Sequence, residues 1–201
     1  MTIHINYKNN SPKKPTTNLV LFVEEDFNII SLKKHISNIE FSYISDLLKN
    51  SDLKKNLLFF EVNSKKTIFL ISIKKNLENS DIESLGAEFH GHINYDKKSD
   101  YFVNSDSISS KFENFLGYFL HGLKLKSYEF NIYKSKNNKK TISIKVIGNK
   151  NRITTQHELR FRAIEEGTFF ARDLVSEPPN VLNPQEYVNR LLKLRKLGIK
   201  V

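Results

Sequence analysis

The 201-residue chain predicts an α/β fold: a mixed sheet flanked by helices over residues 1–150, followed by a long helix. Three observations carry this. Near-continuous apolar runs at 18–23, 57–62 and 67–73 read as strands covered on both faces. Stretches with 3.6-residue periodicity alternate with those runs. After Gly148-Asn149-Lys150 the pattern becomes purely helical.

The elements follow in order. Asn18–Val23 is the first strand, and 30–49 carries a weaker mixed pattern that fits a helix or a hairpin. Leu57–Val62 and Thr67–Ile73 are the next two strands. Ser80 and Glu83 form a capping box ahead of Ile82, Leu85, Gly86, Phe89 and Ile93, which share one helical face. Tyr101–Asn104 is a short strand. Ser110 and Glu113 suggest a second box, leading Phe112, Phe115, Leu116, Phe119 and Leu123 into another stripe. Tyr128–Tyr133 and Thr141–Ile147 alternate with period two around the polar loop 134–140, and read as antiparallel partners at one edge of the sheet.

Thr155 and Glu158 then open a long helix with the stripe Leu159, Ala163, Gly167, Phe170, Ala171 and Leu174, stopped by Pro178-Pro179. Asn183 caps a further helix, with Pro184 at its first position, Glu186 completing the box, and Gly198 as its stop. Its apolar face is Tyr187, Val188, Leu191, Leu192 and Leu194. Ile199-Lys200-Val201 reads as the start of another strand, so the sequence is expected to be truncated within an element.

Composition narrows the chemistry. The chain has no cysteine, which excludes disulfides, Cys-zinc sites and thiol catalysis, and fits a reducing compartment. No apolar run approaches the roughly 18 residues of a membrane span, and the N-terminus lacks a signal-peptide pattern. A soluble cytoplasmic protein, with no membrane partner, is the expectation. The net charge of +10 permits a polyanionic partner. Lysine is scattered, however, whereas all six arginines (Arg152, Arg160, Arg162, Arg172, Arg190, Arg195) lie after residue 150. That marks the last quarter as the more constrained part.

Residue patterns alone offer no catalytic constellation. His90 and His92, the one close histidine pair, point in different directions on a helix and do not readily share a metal. No glycine-rich loop follows Ile73, where the chain reads Lys74-Lys75-Asn76. Glu24-Glu25-Asp26 sits in a turn facing solvent.

The informative stretch runs from Glu166 to Tyr187, and its centre is Ala171-Arg172-Asp173-Leu174-Val175-Ser176-Glu177-Pro178-Pro179-Asn180. It resembles the junction of the leucyl (cytosol) aminopeptidase family, where a linker helix ends in Ala-Arg-Asp-Leu-Val-Asn-Glu-Pro-Pro-Asn and runs on to a Thr-Pro-Glu helix start. The segment 122–136, with Tyr128, Phe130, Tyr133, Lys134 and Ser135, is similar to the family's helix followed by Tyr-x-Phe-x-x-Tyr-Lys-Ser. Two departures stand out: Ser176 replaces an Asn, and Ile73-Lys74-Lys75-Asn76 replaces a Gly-Leu-Gly turn.

The resemblance implies a macro-domain-like N-terminal domain over 1–150, a linker helix over 151–177 and the start of a catalytic domain over 178–201. It further implies a cytoplasmic, hexameric metalloprotease that removes N-terminal residues from peptides using two divalent metals, zinc or manganese. Those metals lie in the catalytic domain beyond the elbow, so no catalytic, metal or substrate residue is carried onto this chain, which is expected to be inactive alone. Its implied role is assembly and access to the active site, and its implied partners are the parent's catalytic domain, further copies of itself and, in the full enzyme, peptides. Arg172, Asp173, Glu177, Pro178, Pro179, Asn180 and Pro184 are the expected structural junction. The alternative function is a nucleic-acid-binding module without peptidase activity. Against it, specific readout favours arginine and none precedes residue 152.

Overall fold

The structure, a computed structural model, describes residues 2–7, 15–95, 99–109, 112–135 and 141–201. Six strands form one sheet: β1 (Thr2–Asn6), β2 (Asn18–Glu24), β3 (Leu57–Asn63), β4 (Lys66–Ile73), β5 (Asp100–Asn104) and β6 (Thr141–Ile147). Five α-helices accompany them: α1 (Asn38–Leu48), α2 (Asn79–Tyr95), α3 (Phe115–Lys126), α4 (Thr155–Ser176) and α5 (Pro184–Leu192). The strand order is β1-β6-β5-β2-β4-β3, with every neighbour parallel except the β3–β4 pair.

Strand alternation builds two cores. Val20 and Phe22 of β2 face α2 and α3, meeting Phe89, Phe115 and Phe119. Leu19, Leu21 and Val23 face the other side, where Leu32, Ile36 and Ile44 cover them. All eight residues of β4 are buried, as its unbroken apolar run requires. The segment 30–49 resolves as a short 3-10 turn, Ile30–Lys34, followed by α1. Ser37 and Glu40 form a true capping box at that helix start.

Helices α2 and α3 cross at backbone contact. A Cβ on Gly86 would stand 2.8 Å from the Leu123 nitrogen, and one on Gly122 would stand 2.6 Å from the Glu83 Cα. Only glycine permits this approach. Helix α4 lies outside α3 as a further layer, leaving Phe161 as its buried side chain.

The structure departs from the sequence pattern at several elements. Tyr128–Tyr133 forms turns rather than a strand, and Thr141–Ile147 pairs in parallel with β1 and β5, one place in from the edge. The edge there is β1, which the sequence patterns did not single out. β3 is the opposite edge and is covered on both faces only at its start: Leu57 is buried, whereas Phe59 on the same face is 50% exposed. Ser80 lies inside α2, whose start is held by Asp81 accepting from the Glu78 N–H at 2.8 Å. The cap of α4 is Thr154, one residue earlier than expected, accepting from the His157 N–H. Ser110 lies outside the described residues, as does 136–140. Helix α3 itself starts at Phe115, preceded by Asn114, which adopts a left-handed φ of 57° and makes no side-chain cap. Ile199–Val201 pairs with no strand among the described residues.

Candidate functional site

The junction is built outward from α3. Gly117 leaves room for the Phe161 ring, which packs on Tyr118 and His121 with centroids 5.1 Å away in each case. His121 is 4% exposed and meets Glu165 of α4 at 3.1 Å through Nδ1. Its Nε2 faces Glu83 of α2 at 4.0 Å. One imidazole thus touches three helices. Further along, Arg172 donates to the Leu125 carbonyl at 2.6 Å, near the end of α3, where the helix dipole favours a cation. The same guanidinium lies 5.5 Å from the Tyr128 ring. Tyr128 donates its hydroxyl to Asp173 at 2.7 Å and packs on Phe169. The turn segment after α3 therefore straps α4 from its side.

The elbow is held by a single carboxylate. Glu177 ends α4, its N–H returning to the Asp173 carbonyl at 3.1 Å. Its side chain accepts from the Tyr133 hydroxyl and from Arg190 Nη1, the latter at 2.8 Å. Those two donors, Tyr133 foremost, hold the Glu177 carboxyl below the usual carboxylate range. Arg190 also binds Glu186 at 3.0 Å, so α5 is clamped to the end of α4. Pro178 fixes the turn, its carbonyl accepting from the Val181 and Leu182 N–H groups at 2.9 Å. Pro179 and Asn180 complete that turn and are exposed. Asn183 caps α5 by accepting from the Glu186 N–H, and Pro184 occupies the first turn.

The expected junction residues Arg172, Asp173 and Glu177 thus converge with groups the sequence patterns had not assigned. These are Tyr128, Tyr133 and Arg190. The two tyrosines sat in a supposed strand, and Arg190 was visible only as one of the clustered arginines. Among the described residues no group of three or more His, Asp or Glu side chains is arranged to hold a metal. His90 is buried, whereas His92 is exposed against the Phe59 ring.

The expected stripe of α4 turns largely outward. Leu159 is 61% exposed and Ala163, Gly167 and Ala171 are also exposed, whereas Phe170 and Leu174 are half-buried; Val175, outside that stripe, is 87% exposed. Helix α5 adds Tyr187 and Val188 to this surface. The residues turned inward are Phe161, Glu165, Phe169 and Asp173, a different line on the same helix.

No family model matches the sequence. A probable cytosol aminopeptidase of Phytoplasma mali is 38% identical over 114 residues, covering 54% of this chain and 23% of that protein. One from Shewanella oneidensis is 26% identical over 155 residues, 76% of this chain and 30% of its own length. Among solved structures, a tomato leucine aminopeptidase mutant superposes on 98% of this chain and 42% of its own, with TM-score 0.69 and 15% identity. The fold is that of the leucine aminopeptidase N-terminal domain. A bottromycin maturation enzyme shares it less closely, with TM-score 0.64 at 10% identity over 91% of this chain and 37% of that one. The similarity to cytosol aminopeptidases covers 54% of the chain in the first of these relatives and 76% in the second. The matched stretches span less than a third of the length of these two cytosol aminopeptidases. No helix among the described residues is long and apolar enough to cross a membrane.

Proposed function

We propose that residues 1–201 are the N-terminal portion of a metal-dependent leucyl aminopeptidase. In this reading 1–150 is the α/β domain, 151–177 the linker helix and 178–201 the opening of the catalytic domain. The chain serves assembly, as a hexamer, and access to the active site, in a cytoplasmic enzyme acting on peptide N-termini. Zinc or manganese would belong to the catalytic domain. The described side chains here offer no ligand set for either, so no catalytic step is assigned to this chain.

The observation that carries the reading is the outward face of α4 and α5. Leu159 and Val175 stand exposed on α4, and Val188 on α5 beyond the elbow. Covering each is worth roughly 1.5–3 kcal/mol. Gly167 adds to this. It lies inside α4 with nothing within 4 Å of a Cβ built there, although glycine costs a helix about 1 kcal/mol relative to alanine. A partner helix approaching closely at that point accounts for both features.

The test is a chimera in which residues 1–201 replace the matching part of the Phytoplasma mali relative, assayed on a leucine chromogenic substrate with manganese or zinc. Hydrolysis by an assembled chimera is expected, and Val175→Asp should abolish assembly. A folded chimera that neither assembles nor hydrolyses overturns the proposal.

A further inference from the structure

At the carboxyl ends of the parallel strands the sheet opens. The chain leaves β2 toward β3 and β4, then crosses back through α2 to β5 on the other side of β2. Open parallel sheets seat ligands in the crevice formed where connections diverge in this way. Here the crevice has a specific cause. The β2–β4 ladder runs out to the pair Glu24–Ile73, but the β2–β5 ladder stops at Val20–Val103. Beyond that point the Phe22 N–H donates instead to the Ser107 hydroxyl at 2.9 Å, and Ser107 in turn binds the Asn104 carbonyl. Past this point a cavity of about 750 Å³ lies between the ends of β2 and β4 and the residues Ser109 and Phe112 that follow β5, within the range of about 300–1,000 Å³ typical of small-molecule sites.

The walls combine both charges with an apolar floor. Glu24 and Glu25 leave the end of β2, and Lys74 and Lys75 leave the end of β4 beside it. Among the described residues, none of these four side chains forms a hydrogen bond or ion pair. Opposite charges therefore line one cavity without direct contact between them. Ile73 is 6% exposed and Phe112 half-buried, supplying the apolar surface. The acidic turn is fixed by Phe27, a bulky residue at φ 54° whose N–H returns to the Glu24 carbonyl and whose ring is buried in the core.

We propose that this cavity binds a short peptide with free termini, such as a dipeptide with apolar side chains. Its ammonium faces Glu24 and Glu25, its carboxylate faces Lys74 and Lys75, and its side chains lie on Ile73 and Phe112. The mixed charge selects a dipolar ligand over a nucleotide, whose phosphates would meet the acidic side. The site lies at the carboxyl ends of the interior strands β2 and β4, shares no lining residue with the junction, and does not depend on the aminopeptidase reading.

The experiment is an NMR titration of the 201-residue chain with leucyl-leucine to about 10 mM, a range that captures millimolar affinity. N-acetyl-leucyl-leucine, leucyl-leucinamide, free leucine and ADP are titrated in parallel. Saturable shifts are expected at 22–27, 73–77 and 105–109, with each blocked peptide and free leucine weaker than leucyl-leucine, the blocked peptides by about tenfold or more. Lys74→Gln with Lys75→Gln should weaken leucyl-leucine about tenfold without weakening leucyl-leucinamide. Glu24→Gln with Glu25→Gln should weaken leucyl-leucine and leave the acetylated peptide unchanged. All four positions are exposed, and circular dichroism checks that the variants fold. Absent saturation, equal affinity for blocked and free peptides, or ADP saturating these residues in preference to the peptide each overturns the proposal.

Discussion

Replacing Gly122 by alanine should force α2 and α3 apart. The new Cβ would lie 2.6 Å from the Glu83 Cα and 2.5 Å from its carbonyl carbon, with the carbonyl oxygen nearer still. Carbon atoms pack comfortably at about 3.5–4.0 Å, so relief requires a separation of about 1 Å. The obstruction is backbone and cannot rotate aside as a side chain would. A shift of that size loosens Ile82, Leu85 and Phe89 against Phe115, Phe119 and Leu123, forfeiting roughly a quarter to a half of each contact. Overpacking costs about 1–3 kcal/mol, and a rigid obstacle places this case near the top of that range. The intrinsic helix gain of alanine over glycine, about 1 kcal/mol, offsets part of it. The net loss should be about 2 kcal/mol. Because the chain has no tryptophan, urea unfolding is best followed by far-UV circular dichroism. With a slope of about 2–3 kcal/mol per molar urea, the midpoint should fall by about 1 M. Gly91→Ala, also in α2 but with nothing within 4 Å of its Cβ, should raise the midpoint instead. A Gly122→Ala protein as stable as the wild type would refute the packing argument.

Three further outcomes can be measured. Lys66 is buried, 2.6 Å from Glu40, so Glu40→Gln should cost about 3 kcal/mol by leaving the ammonium without its counter-ion. Burial alone would raise the Glu40 carboxyl, but the bonds from Lys66 and Ser37 outweigh it and hold the group below its ordinary 4.5. Its contribution is therefore full above that value and is lost as pH falls through the lower folded value, so the gap between wild type and Glu40→Gln should close in acid. Phe161→Ala should remove the anchor of α4, speeding amide exchange across 155–176 while leaving β2 and β4 protected; equal acceleration in the strands would show that α4 does not open separately. The 201-residue chain alone should not hydrolyse a leucine chromogenic substrate with manganese or zinc, and turnover well above a no-enzyme control would contradict the assignment of catalysis to a separate domain.

The sequence by itself determined the elements whose signals are local. Strands β2 and β4 follow from unbroken apolar runs, and α2 and α3 from stripes that are buried as expected. The start of helix α5 follows from Asn183-Pro184, whereas its end does not: α5 stops at Leu192, and Gly198 closes a 3-10 turn over Lys193–Leu197 that follows it. The junction motif also carried the similarity to cytosol aminopeptidases before any coordinates. Tertiary structure alone decided which partners those elements take. Alternation over Thr141–Ile147 marks a strand but not its direction, and Tyr128–Tyr133 was consumed by contacts to α4 rather than by a ladder. Helix α4 carries two lines of side chains, and the buried one is chosen by the space Gly117 leaves for Phe161, not by the more regular apolar stripe. The parting of β2 from β5 likewise depends on Ser107, eighty-five positions away, reaching the Phe22 N–H. Periodicity records what each segment can bury; the neighbour that buries it is fixed only when distant residues compete for the same faces and hydrogen bonds.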